Sequence, residues 1–217
     1  MVPPVKVPHL RCDLVPETSD IQQESGLSAE FLRHFCETDD LDLVTRLDIQ
    51  VDSVQQNLEP LGEHLRNLRQ LRLTDSSVMC TRDLGTELHR LEILWMSRCG
   101  LQDLGGTAST LPSLRELYIP FNDISDLSPL NGHEQIEVLD LEGNAVTDFD
   151  EVAALGLCPR LRELTLRGNP LYRGAALPRR AVLGLLPQLA ILDDAGVDEL
   201  GEPDDAARPT VGKSLFS

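Results

Sequence analysis

The sequence is poor in aromatics and almost without lysine. Phe, Trp and Tyr make up 4% of its 217 residues, with one Trp and two Tyr, and of 19 basic residues only Lys6 and Lys213 are lysine. Any core must therefore be aliphatic. The 36 acidic residues leave a formal net charge of −17, so the basic footprint needed for unaided binding to nucleic acid or an anionic membrane is missing. No run of 18 apolar residues exists, which excludes a hydrophobic spanning helix. Five cysteines (Cys12, Cys36, Cys80, Cys99 and Cys158) contain no C-x-x-C pair, and their odd number leaves at least one unpaired. Met1–Leu10 is proline-rich and lacks the apolar stretch of a signal peptide, so a reducing, cytoplasmic setting is expected.

Leucine is what the chain has in excess. It occurs 40 times, and its spacing is periodic. Leu91-x-x-Leu94-x-Met96-x-x-Cys99-x-Leu101 is followed by Leu114-x-x-Leu117-x-Ile119-x-x-Asn122-x-Ile124. Next come Ile136-x-x-Leu139-x-Leu141-x-x-Asn144-x-Val146 and Leu161-x-x-Leu164-x-Leu166-x-x-Asn169-x-Leu171. Leu68, Leu71, Leu73, Ser76 and Val78 form an earlier copy, and Val44, Leu47 and Ile49 a degenerate one. The first Leu of each L-x-L falls at 47, 71, 94, 117, 139 and 164, a near-constant step that identifies leucine-rich repeats. L-x-L has the two-residue period of a strand, so both leucines point inward and the middle residue outward. The Asn that follows (Asn122, Asn144, Asn169) has the amide needed to satisfy backbone groups where the chain leaves the strand. Cys99 and Ser76 take its place in two repeats. An acid precedes an apolar plug in Arg82-Asp83-Leu84, Gln102-Asp103-Leu104, Ser125-Asp126-Leu127 and Thr147-Asp148-Phe149, which suits the cap of a short helix or 3₁₀ turn.

The spacing predicts an α/β fold: a leucine-rich repeat solenoid, a curved right-handed superhelix with a parallel concave sheet and short helices or 3₁₀ turns on the convex face. Its ends need caps. Leu27, Phe31, Leu32 and Phe35 read as one face of a lid helix of about three turns within residues 26–42. Repeats occupy 43–177. A helix from Arg179 halted at Pro187, then Leu189-x-x-Leu192-Asp193, forms a C-terminal cap over 178–193. Residues 1–25 and 194–217 read as disordered flanks. Residues 12–42 and 193–217 together hold −13 of the charge, so the solenoid is nearly balanced.

The 22–23-residue period with Asn-x-Ile-x-Asp-Leu resembles the short repeat class of phosphatase-regulatory and spliceosomal proteins, and Leu186-Pro187-Gln188-Leu189 to Leu192-Asp193 is similar to the cap of that class. A closer likeness lies in Leu94-Trp95-Met96-Ser97-Arg98-Cys99-Gly100-Leu101-Gln102-Asp103-Leu104. It continues in Leu117-Tyr118, in Asn122-Asp123-Ile124-Ser125-Asp126-Leu127-Ser128-Pro129-Leu130, in Glu137-Val138-Leu139-Asp140-Leu141-Glu142-Gly143-Asn144, and in Leu157-Cys158-Pro159-Arg160-Leu161. These segments look like the ciliary leucine-rich repeat-containing protein 56 family, over residues 27–193. The resemblance implies a cytoplasmic and ciliary or flagellar factor that works with intraflagellar transport to assemble or deliver outer dynein arms. Members of that family often carry a long low-complexity tail, which is not expected within this sequence. Two other readings stand beside it: a phosphatase regulatory subunit, and a spliceosomal scaffold.

Chemistry is scarce. Gly212-Lys213-Ser214 would need an earlier glycine at 207, where Ala207 stands, so no phosphate loop is read. His9, His34, His64, His89 and His133 never fall at metal-ligand spacing and read as surface residues. Cys99 and Cys158 read as small structural residues. No enzyme, metal or cofactor is expected. The outward strand positions are the informative ones: Asp48, Arg72, Trp95, Tyr118, Asp140 and Thr165 form the middle row. On this face Trp95 and Tyr118 are flanked by Ile93, Val138 and Pro120, with Phe121 just beyond and Arg72, Glu116, Asp140, Glu142 and Arg167 around them. An apolar centre with a polar rim is the anatomy of a protein interface. The expected partner is a protein, with no direct nucleic acid and no membrane, and the chain is expected to be a monomer outside its complexes.

Overall fold

The computed structural model describes residues 26–173 and 178–197. The flanks expected to be disordered lie outside the described residues, except for 194–197, and so does the Gly212-Lys213-Ser214 string.

Seven short strands, each at the L-x-L position or its equivalent, stack in parallel: β1 (Arg46–Asp48), β2 (Gln70–Arg72), β3 (Ile93–Trp95), β4 (Glu116–Tyr118), β5 (Val138–Asp140), β6 (Glu163–Thr165) and β7 (Ile191–Leu192). Their register pairs Leu47, Leu71, Leu94, Leu117, Leu139, Leu164 and Leu192 in one continuous row. Except for Leu47 at 3% and Leu139 at 1%, these leucines have no exposed surface. Each inward side chain packs on its equivalents in the neighbouring repeats, so every repeat completes the core of the next. A fully buried Leu contributes about 1.5–3 kcal/mol, and the aliphatic row supplies what aromatics do not.

The convex side is built of short pieces. It holds α2 (Glu59–His64), α3 (Thr107–Thr110) and α4 (Phe149–Ala154), with 3₁₀ turns at Thr81–Leu84, Ser128–Leu130, Leu155–Leu157 and Pro170–Tyr172. The plugs Leu84, Leu104 and Leu127 are buried and Phe149 is half-buried. Two of the preceding acids cap the backbone as their spacing suggests: Asp103 accepts from the Gly105 N–H at 2.6 Å and Asp126 from the Ser128 N–H at 2.8 Å. The other two do not. Asp83 lies inside its 3₁₀ turn and accepts from the Ser53 hydroxyl, and Asp148 sits at the start of α4 without a capping bond.

The lid helix α1 (Ala29–Phe35) has seven residues, about two turns rather than three. The Ser28 hydroxyl accepts from the Phe31 N–H, so helix begins only after Leu27. Leu27 and Leu32 are buried, and Phe31 and Phe35 stack with centroids 5.7 Å apart over the first repeat.

The C-terminal cap extends further than the sequence suggests. α5 (Pro178–Leu185) is followed by β7, and β8 (Ala195–Gly196) turns back antiparallel on it, so 194–197 belongs to the cap and not to a tail. In each inner repeat the N–H after the strand donates to the carbonyl of the next: Ile119 to Asp140 at 3.0 Å, Leu141 to Thr165 at 2.9 Å. After β6 there is no full strand to receive these groups. The side chain of Asp193 takes over, its Oδ1 accepting from Leu166 at 2.8 Å and Arg167 at 3.0 Å while Oδ2 accepts from the Tyr172 hydroxyl at 2.6 Å. Arg179 then ties down the carbonyls of Leu192, Ala195 and Gly196 at 2.6, 3.0 and 2.8 Å. Asp193→Ala leaves two backbone donors and a phenol unpaired, and should cost about 2–3 kcal/mol. A thermal melt checks this, with Asp193→Asn expected to lose less than Asp193→Ala because its carbonyl still accepts. A melting temperature unchanged in the alanine variant would contradict the role.

Candidate functional site

Because the strands are parallel and in register, equivalent residues of adjacent repeats stand about 4.8 Å apart. Flat side chains at equivalent outward positions therefore stack. Trp95 pairs with Tyr118 in the register, and their rings lie parallel, with centroids 5.5 Å apart and an interplanar angle of 9°. Both are half-buried, on the outward face of the sheet. Ile93 and Val138 lie one row behind, aligned with Glu116 between them, and all three are half-buried. The expected centre is thus assembled on three adjacent strands.

The surrounding charges are less alike than the sequence suggests. Arg72 is exposed, facing Asp48 at 4.0 Å and donating to the Thr74 hydroxyl. Glu116 accepts from the Tyr118 hydroxyl at 2.9 Å. Asp140 accepts from the Glu142 N–H at 2.9 Å. Arg167 is committed to the cap, paired with Asp194 at 2.8 Å and donating to the Asp193 carbonyl. Thr165 is buried at 9% exposure, because the cap closes over the end of the sheet. Burial pushes the Tyr118 phenol up to about 12, and the Glu116 hydrogen bond and the charges of Glu116, Glu163 and Asp140 push the same way. Burial also raises the Asp140 carboxyl against the lowering effect of the Glu142 N–H, with Asp194 and Asp193 adding to the rise.

Tyr172, the other tyrosine, is raised further by burial and by its bond to Asp193. Neither tyrosine should therefore ionise near pH 10 while the fold persists, and absorbance at 295 nm should stay flat to about pH 11. A phenol whose folded pKa is raised stabilises the fold fully below its unfolded value near 10, and the contribution is lost as pH rises towards 12. A tyrosinate step at pH 10 in the folded protein would contradict these environments.

The repeat positions beneath the face are fully bonded. Asn122 accepts from the Cys99 and Leu101 N–H groups at 2.9 and 3.0 Å and donates to the carbonyls of Met96 and Ile119 at 2.7 and 3.0 Å. Asn144 accepts from Ile124 and donates to Ile119; Asn169 accepts from Val146 and donates to Leu141 and Leu166. Cys99 supplies only a thiol, directed at the Leu73 carbonyl, and burial raises its pKa to about 11. Cys158 is buried, its thiol on the Leu130 carbonyl.

Two features are not visible in the spacing. Phe121, 47% exposed at φ 58°, lies over Gly143, where a Cβ would meet its ring at 2.6 Å, and the Arg98 guanidinium sits 5.2 Å from the ring centroid. His133 is not a surface residue: it is buried, with Nε2 3.1 Å from the Leu111 carbonyl, and burial lowers its pKa. Among the described residues no group of three or more His, Cys, Asp or Glu is placed to hold a metal, and no helix is long and apolar enough to cross a membrane.

No protein-family model matches the chain. Leucine-rich repeat-containing protein 56 of Homo sapiens is 48% identical over 191 residues, which cover 83% of this chain and 35% of that protein. The leucine-rich repeat-containing protein 56 homolog of Trypanosoma brucei brucei is 28% identical over 84% of this chain and 27% of its own length. The chain thus spans about a third or less of these relatives. In fold it is similar to the crystal structure of an internalin from Listeria monocytogenes, with a TM-score of 0.56 and 22% identity over 76% of this chain and 54% of that one. Fold and kinship together describe a leucine-rich repeat protein. On its identity to the human protein over most of its length, the chain belongs to the leucine-rich repeat-containing protein 56 family.

Proposed function

We propose that the chain is a non-enzymatic adaptor of cilia or flagella that binds a protein partner on its concave face and assists the assembly or intraflagellar transport of outer dynein arms. The observation that carries the docking reading is the parallel Trp95–Tyr118 stack, set half-exposed in the middle of the sheet. Aromatic anchors ringed by polar groups are where binding energy concentrates in protein interfaces, and a solenoid's concave sheet offers an extended surface around them. The ciliary part of the proposal draws on the family resemblance of the Trp95-to-Leu104 segment. Cytoplasmic and ciliary localisation belong to the same proposal.

Affinity purification with mass spectrometry from ciliated cells tests it, comparing the wild type with Trp95→Ala/Tyr118→Ala. Dynein-arm or transport proteins recovered with the wild type and lost with the variant would support function and site together. Their absence from the wild-type sample, or their replacement by a phosphatase catalytic subunit or small nuclear RNA, would overturn the ciliary reading.

A further inference from the structure

The two halves of the concave sheet differ in charge. On β1 and β2 Asp48 and Arg72 face each other, and Arg46 leaves that end slightly positive. On β4 to β6 four carboxylates, Glu116, Asp140, Glu142 and Glu163, share the face with Arg167, which the cap already holds through Asp194. Among the described residues none of these four acids is in an ion pair. Tyr118 stands between Trp95 and Asp140 in the register, so one ring face is taken by Trp95 and the other is turned towards the acids.

We propose that this acidic half of the face receives an arginine-bearing segment of the partner protein, its guanidinium lying against the Trp95–Tyr118 stack and its N–H groups directed at the carboxylates of Glu116, Asp140, Glu142 and Glu163. The inference rests on the docking reading above. A planar guanidinium is weakly hydrated, stacks on aromatic rings and carries five donors in a fork that matches carboxylates. The chain already makes one such pairing nearby, with Arg98 over Phe121. An apolar or acidic occupant would bury the half-exposed Asp140 and Glu116 without a counter-charge, which is costly. Burial is the main cause of the raised pKa values of Tyr118 and Asp140, and at Tyr118 the charges of Glu116, Glu163 and Asp140 push the same way.

Selection of phage-displayed peptides on the immobilised full chain tests this. Selected peptides are then synthesised and their affinities measured by fluorescence anisotropy at about 0.15 M salt, where long-range attraction to the protein's overall charge is screened. Three variants serve: Trp95→Ala/Tyr118→Ala; Glu116→Gln/Asp140→Asn/Glu142→Gln/Glu163→Gln; and a convex control with the same charge change, Glu63→Gln/Glu87→Gln/Glu134→Gln/Asp150→Asn. Expected are arginine-bearing peptides whose affinity falls at least ~10-fold in the first two variants and less than ~2-fold in the control. Exchange of the arginine for uncharged citrulline should have an equally large effect. Peptides without basic residues that still need Trp95 and Tyr118 would overturn this inference and leave the docking reading standing. Arginine peptides weakened equally by the convex control would overturn it too. Peptides indifferent to Trp95 and Tyr118 would overturn both.

Discussion

Asn122→Ala lowers the stability of the solenoid by about 3 kcal/mol or more, several degrees in melting temperature for a protein of this size. The side chain closes two donors and two acceptors at once: the N–H groups of Cys99 and Leu101, and the carbonyls of Met96 and Ile119. All lie where the chain leaves β3 and β4, and Asn122 itself is buried at 6% exposure. Each buried polar group left unpaired costs about 1–3 kcal/mol. Asn122→Asp would keep the acceptor, lose the donors and add a buried charge, while Asn122→Gln makes the side chain one methylene too long. At Cys99, by contrast, the thiol makes one close bond to the Leu73 carbonyl, so Cys99→Ala should lose no more than about 1 kcal/mol. Repeat stability is a sum of units and nearest-neighbour interfaces, so a break in the middle also separates the two halves. Circular-dichroism melts should therefore show a broader transition for Asn122→Ala as well as an earlier one. A melt as sharp and as high as the wild type's would contradict the ladder's role.

The second large effect is on binding. Trp95→Ala and Tyr118→Ala should each weaken partner association by about 2 kcal/mol or more, roughly 30-fold. Their stability cost is smaller, because an aromatic pair contributes only about 0.5–1.5 kcal/mol beyond the area it buries. Titration calorimetry for affinity and a melt for stability separate the two. A sharp fall in melting temperature with affinity unchanged would make the stack a cover for the sheet and not an anchor.

Most of the architecture was legible because the signal repeats. L-x-L at positions 47, 71, 94, 117, 139 and 164 sets the strand, its inward side and its neighbours from local spacing alone, and the Asn positions follow from the same frame. The concave rows were legible for the same reason, which is why Trp95, Tyr118, Ile93 and Val138 group together on spacing alone. What was hidden depends on contacts that no period encodes. Asp193 acts on residues 26 and 27 positions away, as a side chain in place of a strand. Arg167 looked like a rim residue because its strand position says so, but the cap claims it. Thr165 looked exposed for the same reason. Phe121 reaches over Gly143 only because the backbone takes φ 58° at one and 66° at the other, and His133 is buried by contacts from the preceding repeat.

Trp95 is the one tryptophan in the sequence, so its fluorescence reports on the centre of the proposed docking face without labels. Acrylamide quenching of Trp95 should be measured for the free protein and again with saturating partner recovered by affinity purification. A partner seated on the concave face lowers the quenching constant and shifts the emission to the blue, because the half-exposed indole becomes covered. A quenching constant and emission maximum unchanged at saturation would place the partner elsewhere and contradict the claim that the concave face is where this protein binds.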